Sequence, residues 1–96
     1  MNDDEFEWDD LKAEANLKKH GVSFREARRI FDDIFVLVEE DLSADFGEDR
    51  FLATGMVGDT IVVVVYTERG SRVRLISARR ATSYEQRRYY RSQTPS

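Results

Sequence analysis

Thr60-Ile61-Val62-Val63-Val64-Val65-Tyr66-Thr67 carries five aliphatic side chains in a row. Successive residues of a strand point to opposite faces, so an unbroken apolar run predicts a central strand covered on both sides. Working outward, Gly58-Asp59 falls where a tight hairpin turn belongs and implies a preceding strand over Arg50 to Met56. In the other direction, a turn through Arg69-Gly70-Ser71 leads into a strand from Arg72 to Arg79. There Val73 and Leu75 alternate with Arg72 and Arg74, so one face packs and the other meets solvent or ligand. Phe35-Val36-Leu37-Val38 reads as a further short strand, joined to the next by an acidic loop from Glu39 to Asp49 that holds Gly47. Phe6-Glu7-Trp8 is a candidate edge strand.

Helices flank this sheet. Asp9 can cap a helix from about Asp10 to His20, whose apolar positions Leu11, Ala15 and Leu17 predict a narrow buried stripe. Gly21 suits the left-handed position that ends a helix. Ser23-Phe24-Arg25-Glu26 is a capping box, with Val22 and Ala27 at the two positions of a hydrophobic staple. The second helix follows with Phe24, Ala27, Ile30, Phe31 and Ile34 at three- and four-residue spacing. Thr82-Ser83-Tyr84-Glu85 is another capping box and opens a last helix to about Arg91. The fold class expected is α+β over one domain, residues 1–96, with 92–96 a loose tail.

Ninety-six residues suit one compact domain, and 41% hydrophobic residues suffice for a modest core. Cysteine is absent, so there is no disulfide framework and no thiolate nucleophile, in keeping with a cytoplasmic setting. A single histidine leaves a zinc site without its usual ligands, and no cofactor is implied. The first residues are acidic and lack a signal-peptide pattern, and the longest apolar run is too short to span a bilayer, so no membrane partner is expected. Charge is unevenly spread: residues 1–66 balance at −10 and residues 67–96 at +6, with eight arginines and no lysine in the latter. The planar guanidinium suits phosphate, which makes a polyanion such as RNA a candidate partner. The acidic remainder suits a basic protein partner instead.

The corner Lys19-His20-Gly21-Val22-Ser23-Phe24 holds the one side chain that ordinarily titrates near neutrality. Together with Phe6-Glu7-Trp8-Asp9, Lys12 and Asn16 it resembles the opening of the BrnT family of bacterial toxins. Gly47-Glu48-x-Arg50, Thr67-Glu68-Arg69-Gly70 and Ile76-Ser77-Ala78-Arg79-Arg80-Ala81 followed by Glu85 agree with it in order. The resemblance covers residues 6 to about 90. It implies a RelE-like fold, a small twisted, mainly antiparallel sheet with two N-terminal helices packed on it and a short C-terminal helix. It also implies a toxin ribonuclease that cuts RNA and arrests growth. The implied partner is a cognate BrnA-like antitoxin, which blocks the toxin and carries it to operator DNA; DNA is met only through the antitoxin.

A metal-independent ribonuclease must help the 2′-hydroxyl lose its proton, neutralise the crowded phosphate and protonate the leaving 5′-oxygen. By residue type the catalytic candidates are His20 for proton transfer with Arg50 and Arg79 for phosphate; Lys19, Arg69 and Arg80 are substrate-binding candidates. A plainer reading of His20 is a cation placed favourably against a helix dipole. Glu48 with Arg50 is equally readable as a surface pair worth ~0–1 kcal/mol. Arg72 and Arg74 read as a solvated strand face, Trp8 as a packing residue, and Tyr89 and Tyr90 as rings available for stacking. A non-catalytic, RelE-like interaction module that binds an antitoxin and acts as transcriptional co-repressor is the alternative from a different class.

Overall fold

The computed structural model describes residues 3–42 and 49–93. Of the expected acidic loop, residues 43–48 with Gly47 and the Glu48 half of a Glu48–Arg50 pair lie outside the described residues, as do the last three residues of the tail; Glu39 and Glu40, expected in that loop, are strand residues instead. Five strands, β1 (Phe6–Glu7), β2 (Leu37–Glu40), β3 (Phe51–Val57), β4 (Thr60–Arg69) and β5 (Arg72–Arg80), form one mixed sheet in the order β1-β5-β4-β3-β2. β1 runs parallel to β5 and every other neighbouring pair is antiparallel. The chain is therefore α+β, and β4 is the middle strand. Tight turns at Gly58 (φ 61°) and Gly70 (φ 59°) join β3 to β4 and β4 to β5, where a residue with a Cβ would be strained.

The unbroken apolar run does what its pattern requires. Val62, Val64 and Tyr66 enter a core with Trp8, Phe24, Ala27, Ile30, Leu75 and Ala78, while Ile61 and Val63 enter a second cluster with Ala81 and Tyr89. Helices α1 (Asp10–His20) and α2 (Phe24–Ala27) supply the first side and α3 (Ser83–Arg91) the second. Trp8 is a packing residue, edge-on to Phe24 with ring centroids 5.9 Å apart. Phe31 and Tyr66 meet edge-to-face in the same core.

One irregularity sets the layout of β5. Val65 pairs with Ser77 but Tyr66 pairs with Leu75, so Ile76 is an extra residue in a bulge. Val73 and Leu75 before the bulge and Ala78 and Arg80 after it thereby share the α1–α2 side, despite the odd interval between Leu75 and Ala78. Ser77 and Arg79 face the α3 side with Val63.

Local punctuation matches the residue types, and longer-range expectations need correction. Asp9 caps α1, accepting from the N–H groups of Leu11 and Lys12, and Gly21 closes it at φ 71°. Thr82 and Glu85 form the full reciprocal box at α3. At Ser23 only half of the box exists: its hydroxyl accepts from the Glu26 N–H, and Glu26 makes no return bond among the described residues. The expected stripe of Leu11, Ala15 and Leu17 faces solvent; α1 instead turns Ala13, Asn16 and His20 inward. The second helix stops at Ala27 and tightens into a 3-10 segment over Arg28–Asp32, leaving Ile34 exposed. That segment comes so close to β3 that a Cβ on Gly55 would sit 2.8 Å from the Ile30 Cβ. Asp33 ends it, accepting from the N–H groups of Phe35 and Met56, and β2 begins two residues later than expected.

Candidate functional site

α1 lies along the edge of β5. The short β1 covers that edge at Val73 and Arg74, and beyond it the side-chain amide of Asn16 takes over. Asn16 Nδ2 donates to the carbonyls of Ala78 (2.8 Å) and Val22 (3.0 Å), and its Oδ1 accepts from the Ala78 N–H (3.1 Å). A buried amide thus imitates a strand partner and ties three chain segments together. At the start of the helix, Asp9 is held below the usual carboxylate range by the Lys12 and Leu11 N–H groups, with smaller help from the charges of Lys12 and Arg74. With Asp9 near Arg74 and Asn16 at Ala78, α1 advances in the direction of β5. At 1.5 Å per residue, the four residues after Asn16 carry His20 about 6 Å further, which brings it level with Arg80.

Between this corner and the sheet opens a cleft of about 180 Å³, lined by Leu17, Gly21, Ser23, Glu26, Thr60 and Arg80. Arg80 is exposed, and its guanidinium has no hydrogen-bond or ion-pair partner among the described residues. The same holds for the His20 imidazole and the Lys19 ammonium. Three groups that can carry positive charge or a proton therefore stand uncommitted at one end of the sheet.

Arg79 sits beside Arg80 in sequence but on the other side of the sheet. Its guanidinium grips Glu85 on α3 through two hydrogen bonds of 2.7 and 2.9 Å. That contact, first of all, drops the Glu85 carboxyl to about 2, with the Thr82 N–H helping, and raises the Arg79 pKa further. Glu85 also closes the α3 capping box, so a single carboxylate anchors helix and arginine together.

Arg50 and Arg69 lie elsewhere. Arg80 is level with Gly55 across Val62, whereas Arg50 precedes Phe51 at the far end of β3, about 17 Å along the strand. Arg69 is seven residues from Val62 along β4, about 23 Å away. Thus Arg80 lines the cleft beneath the α1–α2 corner, Lys19 and His20 close the adjoining end of α1, Arg79 is engaged on the other face, and Arg50 and Arg69 lie at the opposite end of the sheet.

Other readings change as well. Arg74 is paired with Glu7 at 2.8 Å, and Arg72 Nε donates to the Asp3 carbonyl at 2.6 Å, so this strand face is tied to the N-terminal segment rather than simply solvated. Tyr89 is 2% exposed and donates its hydroxyl to Asp33, so it offers no ring for stacking; Tyr90 remains half exposed. Burial, reinforced by Asp33, pushes the Tyr89 phenol up to about 12. Asn16 and the second role of Glu85 were missed by sequence reasoning. Asn16 stood out only as part of the family resemblance, with no role attached, and as a polar residue on the same helical face as Ala13 and His20; the capping-box pattern hid the second role of Glu85.

Among the described residues, no three His, Cys, Asp or Glu side chains come together as a metal site needs, and no helix is long and apolar enough to cross a membrane. Fold and site together define a small α+β protein with a five-stranded mixed sheet and a cleft beneath its α1–α2 corner lined by Glu26 and Arg80. The chain belongs to the BrnT family: the model of that family, described as a ribonuclease toxin, BrnT, of a type II toxin–antitoxin system, matches residues 8–85. The matched span contains Asn16, His20, Arg79, Arg80 and Glu85. No curated protein matches the chain.

Proposed function

We propose that this chain is a metal-independent endoribonuclease on a RelE-like fold, acting in the cytoplasm to arrest growth and held in check by a BrnA-like antitoxin that also brings it to operator DNA. The observation that supports the reading is Arg80 in the cleft beneath the α1–α2 corner, next to the α1 end that carries His20, both side chains without a partner among the described residues. An imidazole without a competing partner among the described residues is available to take the proton of a ribose 2′-hydroxyl as its oxygen attacks phosphorus, forming a 2′,3′-cyclic phosphate while the P–O5′ bond breaks and the departing 5′-oxygen takes a proton from water. Arg80 and Lys19 place fixed positive charge where the phosphorane gathers negative charge. Arg79 joins them if Glu85 yields its place to phosphate. Arg50 and Arg69 serve RNA at a distance from the scissile bond.

The test is cleavage of a defined RNA by the purified chain with and without EDTA, beside His20→Ala, Arg80→Ala and Arg79→Ala. Loss of an acid–base group lowers the rate by ~10²–10⁴-fold. Full activity of folded His20→Ala removes the imidazole from the mechanism, and sensitivity to EDTA removes metal independence. The second reading, a non-catalytic antitoxin-binding co-repressor, is favoured by Glu85 filling the Arg79 fork and by the absence of a carboxylate partner for His20 among the described residues. Under that reading no variant and no condition yields cleavage, while antitoxin binding persists.

A further inference from the structure

The α3 side of the sheet holds a separate recess of about 160 Å³. Leu37, Leu52, Thr54 and Val63 form its floor, and Tyr84 and Arg88 of α3 stand on its rim. It is apolar below and polar above, the usual make-up of a small-ligand site.

Three independent features bear on what it takes. Thr54 is only 8% exposed, and its hydroxyl, which has no protein partner among the described residues, keeps contact with solvent at the recess. A polar atom of a ligand can take the place of that water. The Tyr84 ring is 62% exposed at the mouth, with the Arg88 guanidinium 5.9 Å from its centroid. An exposed ring beside a cation is a stacking platform for a planar base. Finally, Leu37, Thr54, Val63 and Arg79 form one row straight across four strands. At strand spacing, Arg79 lies about 10 Å from Thr54, and the end of α1 lies just beyond the edge of β5. That row leads from the recess to Arg79 at the edge of β5, and Arg80 is the next residue, its side chain on the opposite face.

The rim also selects. Glu39 and Glu85 line the recess, each held by an arginine; of about four acceptor positions on a carboxylate, Glu39 uses two on Arg88, and Glu85 uses two on Arg79 and a third on the Thr82 N–H. Remaining acceptors favour a base that offers an amino group. We propose that this recess binds a nucleobase bearing an exocyclic amino group (adenine, cytosine or guanine, over uracil) from the nucleotide next to the cleaved phosphodiester. The inference rests on the RNA reading above and assigns its base-recognition subsite.

The test titrates the whole chain with AMP, CMP, GMP and UMP, and with inorganic phosphate as control, following the Thr54 methyl and Tyr84 ring by NMR. The three amino-bearing nucleotides are expected to shift both signals, with UMP binding weakest and phosphate leaving them unmoved. Tyr84→Ala, at an exposed position that folding does not need, should weaken binding roughly five- to hundredfold. Thr54→Val should erase part of the preference among bases, and in a cleavage assay both variants should alter which base flanks the cut. Unchanged binding and unchanged cut sites in both variants overturn the proposal, as does equal binding of all four nucleotides. If the nucleotides bind in the recess but RNA is never cut, the subsite stands and the ribonuclease reading falls. If RNA is cut while Thr54 and Tyr84 stay silent, the ribonuclease reading stands and the subsite falls.

Discussion

On the α3 side of β5 the guanidinium of Arg79 is filled by Glu85 through two short hydrogen bonds; on the α1–α2 side the guanidinium of its neighbour Arg80 touches no partner among the described residues. The two residues are identical in type and adjacent in sequence, and both entered the expectation as ligands for phosphate. Their surroundings divide the work. Arg79 spends its directional bonds on holding a helix, so its charge is largely neutralised locally. Arg80 spends nothing on the fold and keeps its full field for an anion. A count of arginines cannot separate these roles, because the separating agent is a carboxylate six residues on and a face assignment made by a bulge.

The comparison can be broken most forcefully at Asn16, the tie that holds the α1–α2 side in place. Asn16→Leu removes all three amide bonds and strands the Ala78 N–H and carbonyl, so a loss of about 3 kcal/mol is expected in urea unfolding. Retention of wild-type stability would show that α1 docks by packing alone. Glu85→Gln attacks the other side. A charge-assisted fork is exchanged for a neutral one, and about 2 kcal/mol should be lost at neutral pH. The sign of the acid response follows from the lowered Glu85 pKa: its contribution is complete above the ordinary 4.5 and disappears as pH falls toward about 2. Wild type should therefore lose stability through that window more steeply than Glu85→Gln, as read from midpoints at successive pH values.

Tyr89→Phe tests the second tether of α3 and should cost about 1 kcal/mol. Here the phenol is raised from 10.0 to about 12, so its contribution is complete below pH 10 and lost on the way to 12; the variant should show a shallower alkaline limb. The smallest effect belongs to Arg80→Ala. Its melting behaviour should stay within about 0.5 kcal/mol of wild type while RNA cleavage falls. A large stability loss there would erase the distinction between the two arginines.

What the sequence made legible was governed by a few neighbouring residues. Asp9, Gly21, Thr82 with Glu85, Gly58 and Gly70 each act within about four positions, and each does in the structure what its chemistry suggests. The run Ile61 to Val65 was equally readable, since burial on both faces leaves no polar position to mislead. The misreadings were non-local. Leu11 and Leu17 looked like the inner stripe of α1, but a buried amide bonding a strand 62 residues away decided its orientation. Ile34 continued a helical period that the close approach of Ile30 to Gly55 cuts short. The candidate site divided for the same reason: spacing along the chain placed Arg50 and Arg69 near His20 in kind, and strand register put them at the opposite end.

Ile76 has a consequence that reaches past β5 itself. Side chains on a strand are assigned by parity, and an extra residue is a frame change in that assignment. Deleting Ile76 would let the ladder run in strict alternation with every pairing kept, Leu75 to Tyr66 and Ser77 to Val65, so Arg79 and Arg80 would hold their sides. The frame change exists only along the chain, where Leu75 and Ala78 stand an odd number of positions apart yet share a face. For this fold, a single-codon deletion at the bulge is therefore a route to straightening the strand while leaving the anchored charge and the free one where they are.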